Sequence, residues 1–186
     1  MHPSVMEWVG KKVQQYALAT PQARILEVGS RNVNGTVRPL FQGVELYTGV
    51  DFIAGPDVDV VLDSHQLTST FARNSFDVVV STETLEHDCE FWTSMVMMGE
   101  VLRPEGYLLV TARGNGFWPH DYPHDYYRFL PESFQYLIGL AGCEVLEVAE
   151  DWFPGHPGVF GLGRKRAGEG PPAQQGKRKP RKPAVC

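Results

Sequence analysis

Residues 24–35 read R-I-L-E-V-G-S-R-N-V-N-G. An apolar run of strand length, Arg24 to Val28, stops at Gly29 and passes into a polar loop that ends at a second glycine, Gly35. Apolar and β-branched runs favour strands, and Gly and Asn tolerate the backbone angles of a tight loop. The same device recurs downstream. Tyr47 to Val50 ends at Asp51, Val58 to Leu62 ends at Asp63, and Phe76 to Val80 ends at Ser81, Thr82 and Glu83. Short apolar strands that each end in a polar or acidic residue predict a sheet whose carboxyl ends gather around one ligand.

Working outward, Tyr107 to Thr111 is a nearly continuous apolar run, which predicts a central strand covered on both faces. Helical periodicity marks Ser4 to Ala19, with Val5, Trp8, Val9, Val13 and Tyr16 on one stripe. Ser4 and Glu7 have the spacing of a capping box, and the helix is expected to pack against the sheet. A short helix is expected within Thr36 to Phe41. A longer one is expected over Asp88 to Leu102, capped by Asp88, with Phe91, Trp92, Met95, Val96, Gly99 and Leu102 inward. Pro131 opens another helix and Gly142 closes it. Cys143 to Ala149 and Val159 to Gly163 read as the last strands. The order predicts an α/β class: a doubly wound sheet of about seven short strands, mostly parallel, with helices on both faces.

Charge divides the chain. Its net of -5 splits into -12 over residues 1–163 and +7 over 164–186. The acidic body argues against a broad nucleic-acid face, which needs concentrated positive charge. The reading is three parts: a helix in 1–22, a domain in 23–163, and a basic tail in 164–186 with little to bury, read as disordered. Cys89, Cys143 and Cys186 lie far apart and form no CxxC pair. No stretch approaches the roughly 20 apolar residues of a membrane span. The first residues carry no basic segment followed by an apolar one, so a cytoplasmic location is expected. The sequence sets no oligomeric state.

The blocks I-L-E-V-G-S (25–30), V-D (50–51), D-S-H (63–65), F-D-V-V-V-S-T-E-T-L-E-H (76–87) and V-L-R-P-E-G-Y-L-L-V-T (101–111) together resemble the class I S-adenosylmethionine-dependent methyltransferases. The resemblance implies a Rossmann-like fold, S-adenosyl-L-methionine as cofactor, and methyl transfer by direct displacement. It implies that Glu27, Gly29 and Ser30 form the loop at the methionine end, that Asp51 faces the ribose hydroxyls, and that Asp63 and Ser64 lie near the adenine. It also implies that Ser81 and Thr82 line the pocket near the sulfonium, with Glu83 toward the substrate. The family's second closely spaced glycine is replaced by Ser30. A small-molecule or glycan-like acceptor is the expected partner. A catalytically inactive scaffold of the same fold is the alternative, because fold does not fix activity. A nicotinamide site would want G-x-G-x-x-G, which is absent here.

The loop N-G-F-W-P-H-D-Y-P-H-D-Y-Y-R-F (115–129) hangs from the same end of the sheet. His120 or His124 could serve as general base, since an imidazole titrates near neutrality. Tyr122, Tyr126 and Arg128 would then contact the acceptor. A structural loop with Asp125 paired to Arg128 is the competing reading. A metal site from His120, Asp121, His124 and Asp125 would need a helical turn, which Pro123 opposes, so no metal is expected.

Overall fold

The computed structural model describes residues 2–120, 123–151 and 153–168. Asp121, Tyr122 and residues 169–186, which include Cys186 and most of the tail read as disordered, lie outside the described residues. The chain runs through α1 (Pro3–Gln15), β1 (Arg24–Val28), β2 (Leu46–Asp51), β3 (Val60–Val61), α2 (Leu67–Thr70), β4 (Phe76–Thr82), α3 (Phe91–Val101), β5 (Leu102–Arg113), α4 (Pro131–Leu140), β6 (Cys143–Asp151) and β7 (Gly158–Lys165). One sheet holds all seven strands in the order β3-β2-β1-β4-β5-β7-β6. The pairs from β3 through β5 are parallel, and β7 runs antiparallel to both β5 and β6. The fold is therefore the mostly parallel, doubly wound α/β class that the strand pattern predicts.

Strand alternation sends successive side chains to opposite faces, and each face finds its own cover. On one face Ile25, Val78, Val80, Leu109, Phe160 and Leu162 meet Val5, Trp8, Val9 and Val13 of α1. On the other, Leu26, Val79, Leu108 and Val110 meet Met95 and Met98 of α3 and Phe134 and Ile138 of α4. Gly161 and Gly163 alternate toward that second face. A side chain at either would collide with Phe134 or Ile138, so these glycines let α4 lie directly on β7.

Several local expectations give way to longer-range contacts. α1 begins at Pro3, with His2 rather than Ser4 at its N-cap and no side-chain cap. Proline suits the first helical position because its fixed φ is already helical. Ser4 Oγ instead donates to Asp151 Oδ2 at 2.6 Å, and Glu7 pairs with Lys11. The helix stops at Gln15, not Ala19, because Ala17 turns to φ 50°. α3 starts at Phe91 rather than Asp88, whose carboxylate caps the Glu90 amide and bonds His65. Trp92 does not face inward: it is 44% exposed, and Met98 takes the buried position.

The last strand also extends past the expected boundary at Gly163. Lys165, read from sequence as the start of the tail, is only 3% exposed. Its ammonium donates to Leu102 O at 2.6 Å, Gly99 O at 2.7 Å and Asn74 Oδ1 at 2.8 Å. The Gly99 and Leu102 carbonyls lie at the end of α3, where a helix leaves acceptors unsatisfied and favours positive charge.

Candidate active site

The chain moves outward from β1 to β3 and then returns to β4, so the order reverses between β1 and β4. Ligands of doubly wound sheets bind beyond the strands at such a point. Gly29 leaves β1 at φ +78°, and a Cβ there would overlap the Thr84 side chain at the end of β4. Only glycine allows both the angle and the approach. The amides of Gly29 and Ser30 both donate to Val50 O, at 2.8 and 3.0 Å, which ties the loop to β2. Ser30 is buried, so in place of a second close glycine the loop turns a small hydroxyl inward. Further on, Asn32 accepts from the Gly35 amide and donates to Asp57, both at 2.8 Å.

Above this edge lies a cleft with two joined lobes. The first, of about 330 Å³, is lined by Glu27, Gly29, Ser30, Asp51, Thr82 and Glu83 from the strand ends, with His2, His87 and His120 on its other walls. The second, of about 360 Å³, is lined by Asp51, Asp63, Ser64, His65, His124 and Tyr126, among others. Gly29, Asp51, Phe52, Thr84, His87 and Pro123 belong to both lobes.

The acidic residues differ in environment. Glu27 is buried and accepts from Tyr47 OH at 2.8 Å; burial lifts its carboxyl to about 7. Asp51 is half-buried and accepts from the Ile53 and Arg31 amides at 2.9 and 3.2 Å, so it holds the loops on either side of it. Asp63 is exposed and caps the short 3₁₀ turn that follows by accepting from the His65 amide at 2.9 Å. Ser64 bonds Ser94 at 2.7 Å. Glu83 adopts φ 55°, accepts from Thr111 Oγ1 at 2.7 Å and forms an ion pair with buried Arg113. Ser81 lines neither lobe. β4 runs to Thr82 because its ladder with β5 continues through Ser81 opposite Val110 and Thr82 opposite Thr111. Ser81 is thereby fully enclosed within the sheet, and the ligand edge begins at Thr82.

The aromatic loop is internally braced. Arg128 grips both Asp125 oxygens, at 2.5 and 2.6 Å, and donates to the carbonyls of Phe117, Trp118 and Tyr127. That grip draws the Asp125 carboxyl down to about 2. Arg128 lines neither lobe, so its charge shapes the loop. His120 is half-buried on the wall of the first lobe, and burial followed by the neighbouring His87 lowers its pKa. His124 and Tyr126 line the second lobe. The sequence reading did not single out His2, which the start of α1 carries into the first lobe, where burial and then Arg113 lower it to about 4.

Glu86 is a second residue of this region that the sequence reading does not single out. It is fully buried, burial raises its pKa against the opposing pull of the Glu86 and Arg113 backbone amides, and neither carboxylate oxygen makes a well-formed hydrogen bond among the described residues. Of the four residues weighed from sequence as a metal set, Asp121 lies outside the described residues, Asp125 is held by Arg128 and His124 lines the second lobe. The metal-capable group that the described residues do bring together is Glu86, His87 and His120. The signal in the sequence was the pair Glu86-His87, set a few residues past the end of the buried strand β4.

Comparison with known proteins agrees with this architecture. Residues 26–110 match the family described as a methyltransferase domain. A Burkholderia thailandensis 1,6-didemethyltoxoflavin-N1-methyltransferase, solved with its substrate and S-adenosylhomocysteine, superposes with a TM-score of 0.70 at 17% identity, over 87% of this chain and 78% of that one. The magnesium protoporphyrin IX methyltransferase of Synechocystis PCC 6803 with bound S-adenosylhomocysteine gives 0.66 at 12% identity, over 87% and 82% of the two chains. No curated protein matches the sequence. The chain has the class I S-adenosylmethionine-dependent methyltransferase fold.

Proposed function

We propose that this protein transfers the methyl group of S-adenosylmethionine to a small-molecule or glycan-like acceptor. The observation that carries the reading is the two-lobed cleft at the β1–β4 reversal, where the acidic residues Glu27, Asp51 and Glu83 meet Gly29, Ser30 and Thr82. The residues fit the cofactor's chemistry. A nucleoside joined to an amino acid is long enough to use both lobes, and a cation is matched by carboxylates held with little solvent between. Asp51, where the lobes meet, would accept the ribose hydroxyls. Asp63 and Ser64 would flank the base in the second lobe, and the Gly29–Ser30 loop would receive the amino-acid end. When bound, the cofactor supplies an electrophilic methyl group on a sulfonium.

The chain's own residues then have three tasks. The cleft walls hold the acceptor's nucleophile in line with the methyl carbon, and such positioning supplies much of the rate. His120, kept neutral by its burial, removes a proton from an acceptor that arrives protonated. The braced loop of residues 114–130, fixed by Arg128 and Asp125, covers the acceptor side. The related structures carry small-molecule names, a toxoflavin precursor and a magnesium porphyrin, which supports an acceptor of that class here.

Two substitutions test the assignment separately. Asp51→Ala is expected to weaken S-adenosylmethionine binding by about 10- to 100-fold, the loss of a charge-assisted hydrogen-bond pair. Unchanged affinity by calorimetry would remove Asp51 from the site. His120→Ala is expected to lower methyl transfer to a responsive acceptor, followed with labelled cofactor, by about 10²-fold or more, with cofactor affinity retained. Equal turnover in the variant would end the base role.

A further inference from the structure

Glu86 is the unexplained group of this site. An ionised carboxylate enclosed in protein is costly, so this group is either held protonated, as its raised pKa favours, or matched by a cation. Arg128 acts on it through charge, but its hydrogen bonds go to Asp125 and three backbone carbonyls, and Arg113 is ion-paired with Glu83. Meanwhile Glu86, His87 and His120 each bring a ligand atom within 4.8 Å of the other two. They arrive from two segments, the 3₁₀ turn after β4 and the loop after β5. The loop is clamped over the turn by its own backbone: Tyr126 and Tyr127 donate their amides to Glu86 O at 2.8 and 3.2 Å.

The histidines are also oriented. His87 Nδ1 donates to His124 O at 2.5 Å, which leaves Nε2 as its ligand nitrogen. Such a backbone partner on the far nitrogen is the usual way a protein aims a metal-binding imidazole. His120 is fixed through its amide, which donates to Asp125 Oδ2 at 2.7 Å, while its Nδ1 lies 3.4 Å from the same oxygen without a hydrogen bond.

We propose that Glu86, His87 and His120 form a divalent transition-metal site beside the first lobe, where His87 and His120 line the wall and Glu86 is enclosed next to them. Two imidazoles and one carboxylate suit Zn²⁺, Mn²⁺ or Fe²⁺ and leave positions for water or substrate. The ligand atoms lie within 4.8 Å of one another, and side-chain rotation would have to draw them onto a shared ion. The acceptor class follows from the ligand field: a molecule that presents a hydroxyl oxygen to the metal. That part rests on the methyltransferase reading above. With the ion bound His120 is a ligand and no longer the base, and the coordinated hydroxyl loses its proton to solvent more readily. The oxygen's electron pair then forms the new C–O bond as the C–S bond breaks, and the sulfur keeps the bonding pair.

The test is calorimetric titration of chelator-treated full-length protein without a histidine tag, with ZnCl₂ and MnCl₂ in turn. CoCl₂ absorption in the visible region reports the ligand set. The expected result is one ion per chain at micromolar affinity or tighter, weakened at least tenfold in Glu86→Gln and in His120→Ala. His120 sits on a half-buried loop, so its variant informs even where Glu86→Gln fails to fold. Absence of stoichiometric binding, or binding equally tight in the variants, overturns the site. S-adenosylmethionine titrated into the same samples separates the two ideas. Cofactor binding without metal binding defeats only the metal site, and metal binding without cofactor binding defeats the methyltransferase reading.

Discussion

Glu27 shows how much a single residue's surroundings can matter. Its side chain is enclosed between β1 and Tyr47, and burial moves its pKa from 4.5 to about 7. The folded state therefore holds a proton that the unfolded chain releases between those values. Stability falls as pH rises through that window and levels off above it. Glu27→Gln should flatten this dependence and raise stability most at pH 8, by an amount on the order of 3 kcal/mol, read as a higher melting temperature there. Melting curves that shift in parallel for the variant and the parent would show that Glu27 ionises normally. Gly29→Ala is expected to destabilise the chain by about 1–3 kcal/mol, since its φ of +78° and the Thr84 contact both exclude a side chain. Denaturant titration measures this, and an unchanged midpoint would contradict the close packing at the β1–β4 reversal. Asp51 and Gly29 were legible because the sequence places them just after apolar runs. Glu86 was not: its burial depends on a loop that follows β5 and closes over it.

Elements were legible where a local pattern agrees with the long-range one. β1 follows its apolar run from end to end, and α4 opens at the proline that marks it. The failures have a common cause. Ser4 and Glu7 had the spacing of a cap, but Asp151 on β6 claims the serine and Pro3 starts the helix earlier. Ser81 stood at an apparent strand end, but pairing with β5 carries the strand past it. Lys165 followed the last apolar residues and so read as tail, yet its three acceptors come from α3 and its neighbours. Lys165→Met should keep the aliphatic volume and strand those acceptors. An expected loss of about 2–4 kcal/mol follows from leaving buried carbonyls unpaired. A change under about 0.5 kcal/mol by denaturant unfolding, the range of ordinary surface substitutions, would mean that the lysine is incidental to the end of α3.

At the scale of the whole molecule, the chain reaches its site with short connections. The link from β2 to β3 is a loop, and the only helix between β1 and β2 is the four-residue 3₁₀ turn Arg38–Phe41. α1 covers the sheet face that those crossovers leave open, and it delivers His2 to the first lobe. One helix thus supports both the core and the cleft. The central claim is that the cleft binds S-adenosylmethionine. The most direct measurement is isothermal titration of the folded protein with S-adenosylmethionine, S-adenosylhomocysteine and NAD under one set of conditions. The account predicts micromolar binding of the first two, one per chain, and none of the third. A folded protein that binds neither of the first two would contradict it and leave a methyltransferase fold that serves as a scaffold.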